Sequence, residues 1–459
     1  MNPPPFFSLI LRCLILLLLT LPALPGLAQQ SPLDAYIDSA LARNLNLRTH
    51  SLSYEKSLEA LREAKGLFFP QLSFQASYTL AGGGRAIAFP VGDLINPIYQ
   101  TLNDLTASGR FPTNIENVNE QFLPNHFHET KLRLVQPLFN SDIYYNYRAK
   151  QELISLEAAK RDAYQKELVR EVQLAYYDYL KTGEVLGIYE DTRALMEEIL
   201  RVNRRLVEND KATYDAIYSA EYEISRIDKE IAVATQNRQL AAAWFNFLLN
   251  REQETPILSD TLMLAAPELL ALDELEQRAL HGRMELEQLR YARAANASQI
   301  GRAKGLRLPR VNAVVDLDYQ GFGYSFDSRQ DFWLGQISLE WDLFKGFQNR
   351  AKRQQAYIDG QMLSTQHEAL QQQIRLQVKE AWHQYKSAEQ AVEAARAGLR
   401  STAAVFRIVQ RKYQEDQASL LELMNARTQY TQARLSLAID SYDQLGKAAA
   451  LEFASAASR

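Results

Sequence analysis

Cysteine is almost absent from this chain: the one residue, Cys13, lies close to its start. The remainder can hold no disulfide framework and no thiol nucleophile. Proline is missing from two long tracts, between Pro137 and Pro256 and after Pro309. Proline breaks helix interiors, so both tracts are open to long helices. Apolar runs of the roughly eighteen residues that a spanning helix needs are also lacking. An excess of positive charge is lacking too: the formal net charge is -4, and nothing global points to nucleic acid. No phosphate-cradling loop is present, because the glycines at Gly82–Gly84 lead into a loop rather than a helix. No Ser, His and Asp set or paired carboxylates marks a catalytic cleft. His126 and His128 stand two apart in a long loop and are expected at the surface rather than as a metal pair. Neither an enzyme nor a bound cofactor or metal is expected.

What is present begins with residues 1–28, which read as a secretory signal peptide. Arg12 precedes a short apolar run from Cys13 to Leu21, and small residues follow up to Ala28. A secreted chain without a spanning helix is periplasmic, extracellular or an outer-membrane barrel.

The next signal is alternation. In QLSFQASYTL, Leu72, Phe74, Ala76, Tyr78 and Leu80 share one face of a strand, with polar residues between them. The same pattern returns from Val311 to Gln320, where Val311, Ala313, Val315, Leu317 and Tyr319 share a face. About ten alternating residues is the length of a transmembrane β-strand. Returning strands are expected at 129–138 and 332–343, the first after a long loop at 82–127 in which a short helix is expected near Ile98 to Leu105.

The chain also repeats itself. LDAYIDSAL at Leu33 to Leu41 matches LDELEQRAL at Leu272 to Leu280, and AKGLFFP at Ala64 to Pro70 matches AKGLRLP at Ala303 to Pro309. Val172, Ala175, Tyr176 and Tyr179 match Val378, Ala381, Trp382 and Tyr385. Two copies of helix, strand, strand, long helix, long helix follow. The first covers 29–250, with one helix over 31–66, strands 71–81 and 129–138, and a helical hairpin 141–250. A connector spans 251–271. The second covers 272–450, with strands 311–320 and 332–343 and a hairpin 345–450, and a tail of 451–459 ends the chain.

Four amphipathic strands cannot close a barrel, and an open edge leaves backbone groups unsatisfied in lipid. Several copies must therefore contribute. Two would give eight strands around a side-chain-filled interior, and three give twelve. Asp316, Asp318, Glu340 and Asp342 prefer a wet lumen to a packed core, which favours three. Trp333, Ile337, Leu339 and Trp341 suit the opposite, lipid-facing side. The expected class is an α+β membrane protein: four transmembrane strands per chain complete a 12-stranded trimeric β-barrel, and long helical hairpins form an α-barrel. The rival reading is a soluble periplasmic coiled-coil adaptor, which needs no membrane-length strands.

With this duplicated order the chain resembles the TolC family of outer membrane efflux proteins, over about 31–450. The resemblance implies a passive, trimeric exit duct in the outer membrane, extending into the periplasm. It implies a periplasmic adaptor and an inner-membrane transporter as partners, exporting drugs, metals or proteins. It also implies a gate where the long helices turn, near 206–217 and 411–423. There Tyr413 matches the family's tyrosine and Glu422 its first acid. Asp416 stands where glycine is usual, and Asn425 where a second acid is usual. Asp210 is the counterpart of Asp416 in the first repeat. Three copies of Glu422 would form a cation-attracting ring.

Overall fold

The computed structural model describes residues 31–259, 270–415 and 417–457. The expected signal peptide, part of the expected connector, and Asp416 lie outside them. The chain divides into two units, one of residues 56–154 and 292–363, the other of the remaining segments.

The first unit holds the sheet. Strands β1 (Gln71–Thr79), β4 (Phe127–Phe139), β5 (Arg310–Phe322) and β6 (Asp331–Glu340) pair antiparallel in that order. Two short strands, β2 (Ala86–Phe89) and β3 (Val118–Gln121), form a separate hairpin within the long loop. Between them runs helix α3, Val91–Thr106, longer than the short helix expected there. Register fixes the faces. Phe74 pairs with Leu132, Leu132 with Leu317 and Leu317 with Trp333, giving one apolar row across all four strands. One residue along, Arg133 pairs with Asp316 on the other face. Alternation fails at one point: Phe332 and Leu334 stand opposite Asp318 and Asp316, so β6 is apolar on both faces near its start. The expected strand 332–343 stops at Glu340, and Asp342 falls beyond it.

The expected surface position of His128 is overturned. It is fully buried, stacked 4.6 Å from Tyr324, with Nε2 2.7 Å from Gln330 Oε1. Alternation places it on the apolar side opposite Tyr78, and the loop from Gly321 folds over it.

The second unit is helical. The helices are α1 (Pro32–Arg43), α2 (Leu45–Gly66), α4 (Ser141–Glu208), α5 (Tyr214–Leu248), α6 (Leu272–Gly282), α7 (Met284–Gly305), α8 (Gln348–Gln414) and α9 (Leu420–Ala454). Residues 56–66 of α2, 141–154 of α4, 292–305 of α7 and 348–363 of α8 belong to the first unit. No described helix is long and apolar enough to cross a membrane.

The single helix expected over 31–66 is two helices. Asn44 takes extended backbone, ψ 127°, and its Oδ1 accepts the Leu47 N–H at 3.0 Å, capping α2. Asn is favoured at such a cap because its short side chain reaches the free amides of the next turn. Its Nδ2 donates to the Leu248 carbonyl at 3.0 Å. Arg283 makes the same break between α6 and α7, with ψ 121°, and its Nη1 donates to the Ala454 carbonyl at 3.3 Å. Each breaking residue thus satisfies a carbonyl at the end of a long helix, where no intrahelical donor remains.

The cores are duplicated in the same way. Ala40, Leu47, Leu168, Val172 and Leu248 pack in one cluster. Ala279, Leu286, Ile374, Val378 and Ala454 occupy the matching places in another. Leu451 and Ala454 are buried parts of α9, so the expected tail from 451 is still core helix.

Tyr177 lies beside the first cluster. Burial, with Glu452, Tyr176 and Asp34 nearby, pushes its phenol up to about 12. An unfolded phenol ionises near pH 10, so between pH 10 and 12 the unfolded state holds fewer protons and stability falls as pH rises. The loss is about 2–3 kcal/mol across that window. Thermal melts followed by circular dichroism are expected to show Tyr177→Phe losing less stability than the parent from pH 10 to 12. Identical losses would show that Tyr177 already titrates in the folded chain.

Candidate functional site: helix turns and strand lumen face

The turn from α4 to α5 is built by backbone geometry. Asp210 has φ 58°, the left-handed conformation that ends a helix. The Lys211 N–H reaches the Leu206 carbonyl at 2.8 Å, and the Asp210 N–H reaches Val207 at 3.0 Å. These two bonds close a Schellman motif. The exposed Asp210 therefore terminates α4, while Thr213 precedes α5 as its N-cap residue.

The turn from α8 to α9 closes in a related way. The Gln417 N–H donates to the Lys412 carbonyl at 2.7 Å. Ser419 then caps α9: its Oγ accepts the Glu422 N–H at 3.2 Å, and the Glu422 carboxylate accepts the Ser419 N–H at 3.3 Å. This is a capping box, in which two otherwise free amides are satisfied reciprocally. Glu422 is exposed and its charge lies at the positive end of the α9 dipole. Asn425, one turn later, is also exposed.

Tyr413 turns inward. Its hydroxyl donates to Asn203 Oδ1 at 2.5 Å, and Asn203 Nδ2 donates to the Ala216 carbonyl at 3.0 Å. Asn203 is fully buried. One side chain on α8 is thereby tied through α4 to the first turn of α5. Deeper in, Arg427 on α9 is 2% exposed and donates to the Glu223 carboxylate on α5 at 2.5 Å. Arg226 also donates to Glu223, at 2.7 Å. Around these bonds Met196, Ile199, Ala220, Ile227, Phe406 and Leu423 form an apolar cluster. The two hairpins are thus latched near their turns by one hydrogen-bonded pair and one buried ion pair. Sequence reading finds Tyr413 but misses Asn203, Glu223 and Arg427. Arg427 had a usable signal: it lies four residues after the buried Leu423, on the apolar stripe of α9.

On the sheet, the expected lumen carboxylates are largely paired. Arg133 holds Asp316 through two bonds, Nε to Oδ1 at 2.8 Å and Nη2 to Oδ2 at 2.7 Å. Arg310 reaches Glu340 at 2.9 Å, and Lys345 reaches Asp342 at 2.5 Å. Asp318 stands in register with Lys131, whose Nζ bonds Glu129 at 2.6 Å. Mixed signs interleave on this face. Such a face is hydrophilic without being a bare acidic ring.

Residues 275–457 match the family described as "Outer membrane efflux protein". The chain is 19% identical over 451 residues to the outer membrane protein TolC of Salmonella enteritidis, covering 94% of this chain and 83% of that one. Its fold is similar to the crystal structure of CusC, with a TM-score of 0.76, 18% identity, and 93% and 92% of the two chains covered. It is also similar to the open-state structure of the MtrE outer membrane channel of Neisseria gonorrhoeae, with a TM-score of 0.72, 18% identity, and 93% and 89% covered.

Proposed function

We propose that this chain is a TolC-like outer membrane efflux channel and that three copies of it close one barrel and one periplasmic tunnel. The observation that carries this reading is the pair of open edges. β1 and β6 flank a four-stranded sheet, and among the described residues each lacks a strand partner on its outer side. The sheet has an apolar face and a charged face, so it suits lipid on one side and water on the other. An edge in lipid would leave its amides unpaired. β6 of one copy joined to β1 of the next removes every edge, and three copies give twelve strands. The apolar residues left exposed on α5, among them Val233, Leu240, Trp244 and Phe247, then have neighbouring helices to pack on. A soluble adaptor has no use for such a sheet.

The duct is passive in this reading, not an enzyme. A periplasmic adaptor and an inner-membrane transporter supply recognition and energy. The gate lies at the helix turns, where Asp210, Tyr413, Asp416, Glu422 and Asn425 gather in sequence. The Tyr413–Asn203 and Arg427–Glu223 latches support a closed resting position. Glu422 adds a negative charge that three copies would present as a ring.

The test is the mass of the detergent-purified protein together with its conductance in a planar bilayer. A trimer with discrete, cation-preferring openings is expected, with the preference weakened in Glu422→Gln. A monomer that never inserts would overturn the duct. Unchanged ion preference in Glu422→Gln would remove that residue from the gate.

A further inference from the structure

The long loop between β1 and β4 is a built module rather than a tether. Three asparagines clamp its returning segment onto α3. Asn96 exchanges two hydrogen bonds with the backbone of Ile115, at 2.8 and 2.9 Å. Asn103 does the same with Phe111, at 2.8 and 3.0 Å. Asn117 Oδ1 accepts the Gly92 and Asp93 amides at the start of α3. Gly92 is required there, because a Cβ would stand 2.1 Å from the Ile115 carbonyl oxygen. A side chain that satisfies both backbone groups of a facing residue replaces a strand partner, so the segment is held without a sheet. One face of α3 is fully used by these contacts.

The opposite face has no partner among the described residues. Leu94, Ile98 and Leu105 are 65%, 58% and 78% exposed, with the exposed Thr101 between them. Their spacing is four, three, four. That is the narrow seam by which one helix packs on another, not the broad apolar face of a helix lying in lipid. Charge argues the same way. α3 carries Asp93 and Asp104 and no lysine or arginine, whereas helices that bind anionic membrane surfaces are rich in both. The module also leaves the end of β1, an edge strand. In a closed trimer the next copy sits beside that edge.

We infer that the occupant of the α3 seam is the α3 seam of the other copies, and that the three helices together narrow the outward mouth of the duct. This rests on the trimeric reading above. In a three-fold assembly, identical seams meet one another only at the axis, which is also the pore axis. The channel then carries a second constriction, distinct from the one at the helix turns.

The experiment uses the full-length chain with Cys13→Ser, leaving no other cysteine. Ile98→Cys and, separately, Leu94→Cys place one thiol on the seam, and Gln100→Cys places one off it. Trimers are first confirmed by mass, then oxidised in membranes. Disulfide-linked dimers are expected for both seam variants and at least several-fold less for Gln100→Cys. A second reading uses Leu94→Asn with Ile98→Asn and Leu105→Asn, which is expected to raise single-channel conductance several-fold. Intact trimers without seam-specific crosslinking would overturn the inference while leaving the trimeric duct standing. So would a spin label at position 98 that is relaxed by lipid-dissolved oxygen rather than by an aqueous reagent. Failure to form trimers at all would instead overturn the reading on which the inference depends.

Discussion

Replacing Leu317 by arginine is expected to remove most of the protein from the outer membrane, while Ser77→Arg leaves its level near that of the parent. Leu317 lies mid-strand, in register with Leu132 and Trp333 in the apolar row. Ser77 pairs with Glu129 and faces the other way. An arginine on the lipid face at the bilayer midplane costs about 2–4 kcal/mol, and a trimer incurs that cost three times. The charged face already carries Arg133 and Lys131, so a further arginine there is expected to meet water and carboxylates. Quantifying heat-resistant trimer in outer-membrane fractions separates the outcomes. Equal amounts of both variants would mean that the apolar row does not face lipid, and the adaptor reading would regain its place.

The second large effect is expected at the buried ion pair of the helix turns. Glu223→Ala leaves Arg427, almost wholly buried, without a counter-charge. Breaking a buried pair from one side costs about 3–5 kcal/mol, because the remaining charge has lost both water and partner. Arg427→Met is expected to cost much less. It removes the buried charge itself, and Glu223 keeps its bond to the partly exposed Arg226. The two variants should therefore differ, although each removes the same contact. In a planar bilayer, Glu223→Ala is expected to lengthen open dwell times more than Arg427→Met does. The Tyr413–Asn203 bond limits both effects, since it ties α8 to α4 independently of α9. Parent-like dwell times in Glu223→Ala would show that this pair stabilises the fold without holding the turns closed.

The sequence by itself determined the duplicated order, the strand faces and the extent of the long helices. These depend on short-range rules. Period-two alternation around Phe74 and Leu317 places side chains on a face without knowledge of any partner. Two proline-free tracts permit α4 and α8, and local capping ends them near Glu208 and Gln414. The turn residues Asp210 and Glu422 were legible for the same reason: each acts on backbone groups within a few positions of itself.

Only the tertiary structure decided what long-range contacts control. Asn44 and Arg283 lie inside patterns that read as continuous helix. They break it because each side chain donates to a carbonyl at a distant helix end, Leu248 for Asn44 and Ala454 for Arg283. His128 carries the signature of a surface histidine, yet the fold seals it between Tyr324 and Gln330. Asp316 reads as a free lumen acid, but cross-strand register sets Arg133 directly opposite. The latch of Asn203, Tyr413, Glu223 and Arg427 joins four helices, and no spacing within one helix encodes it. The physical reason is common to all four cases. Periodicity records which way a side chain points, and packing decides what it meets there.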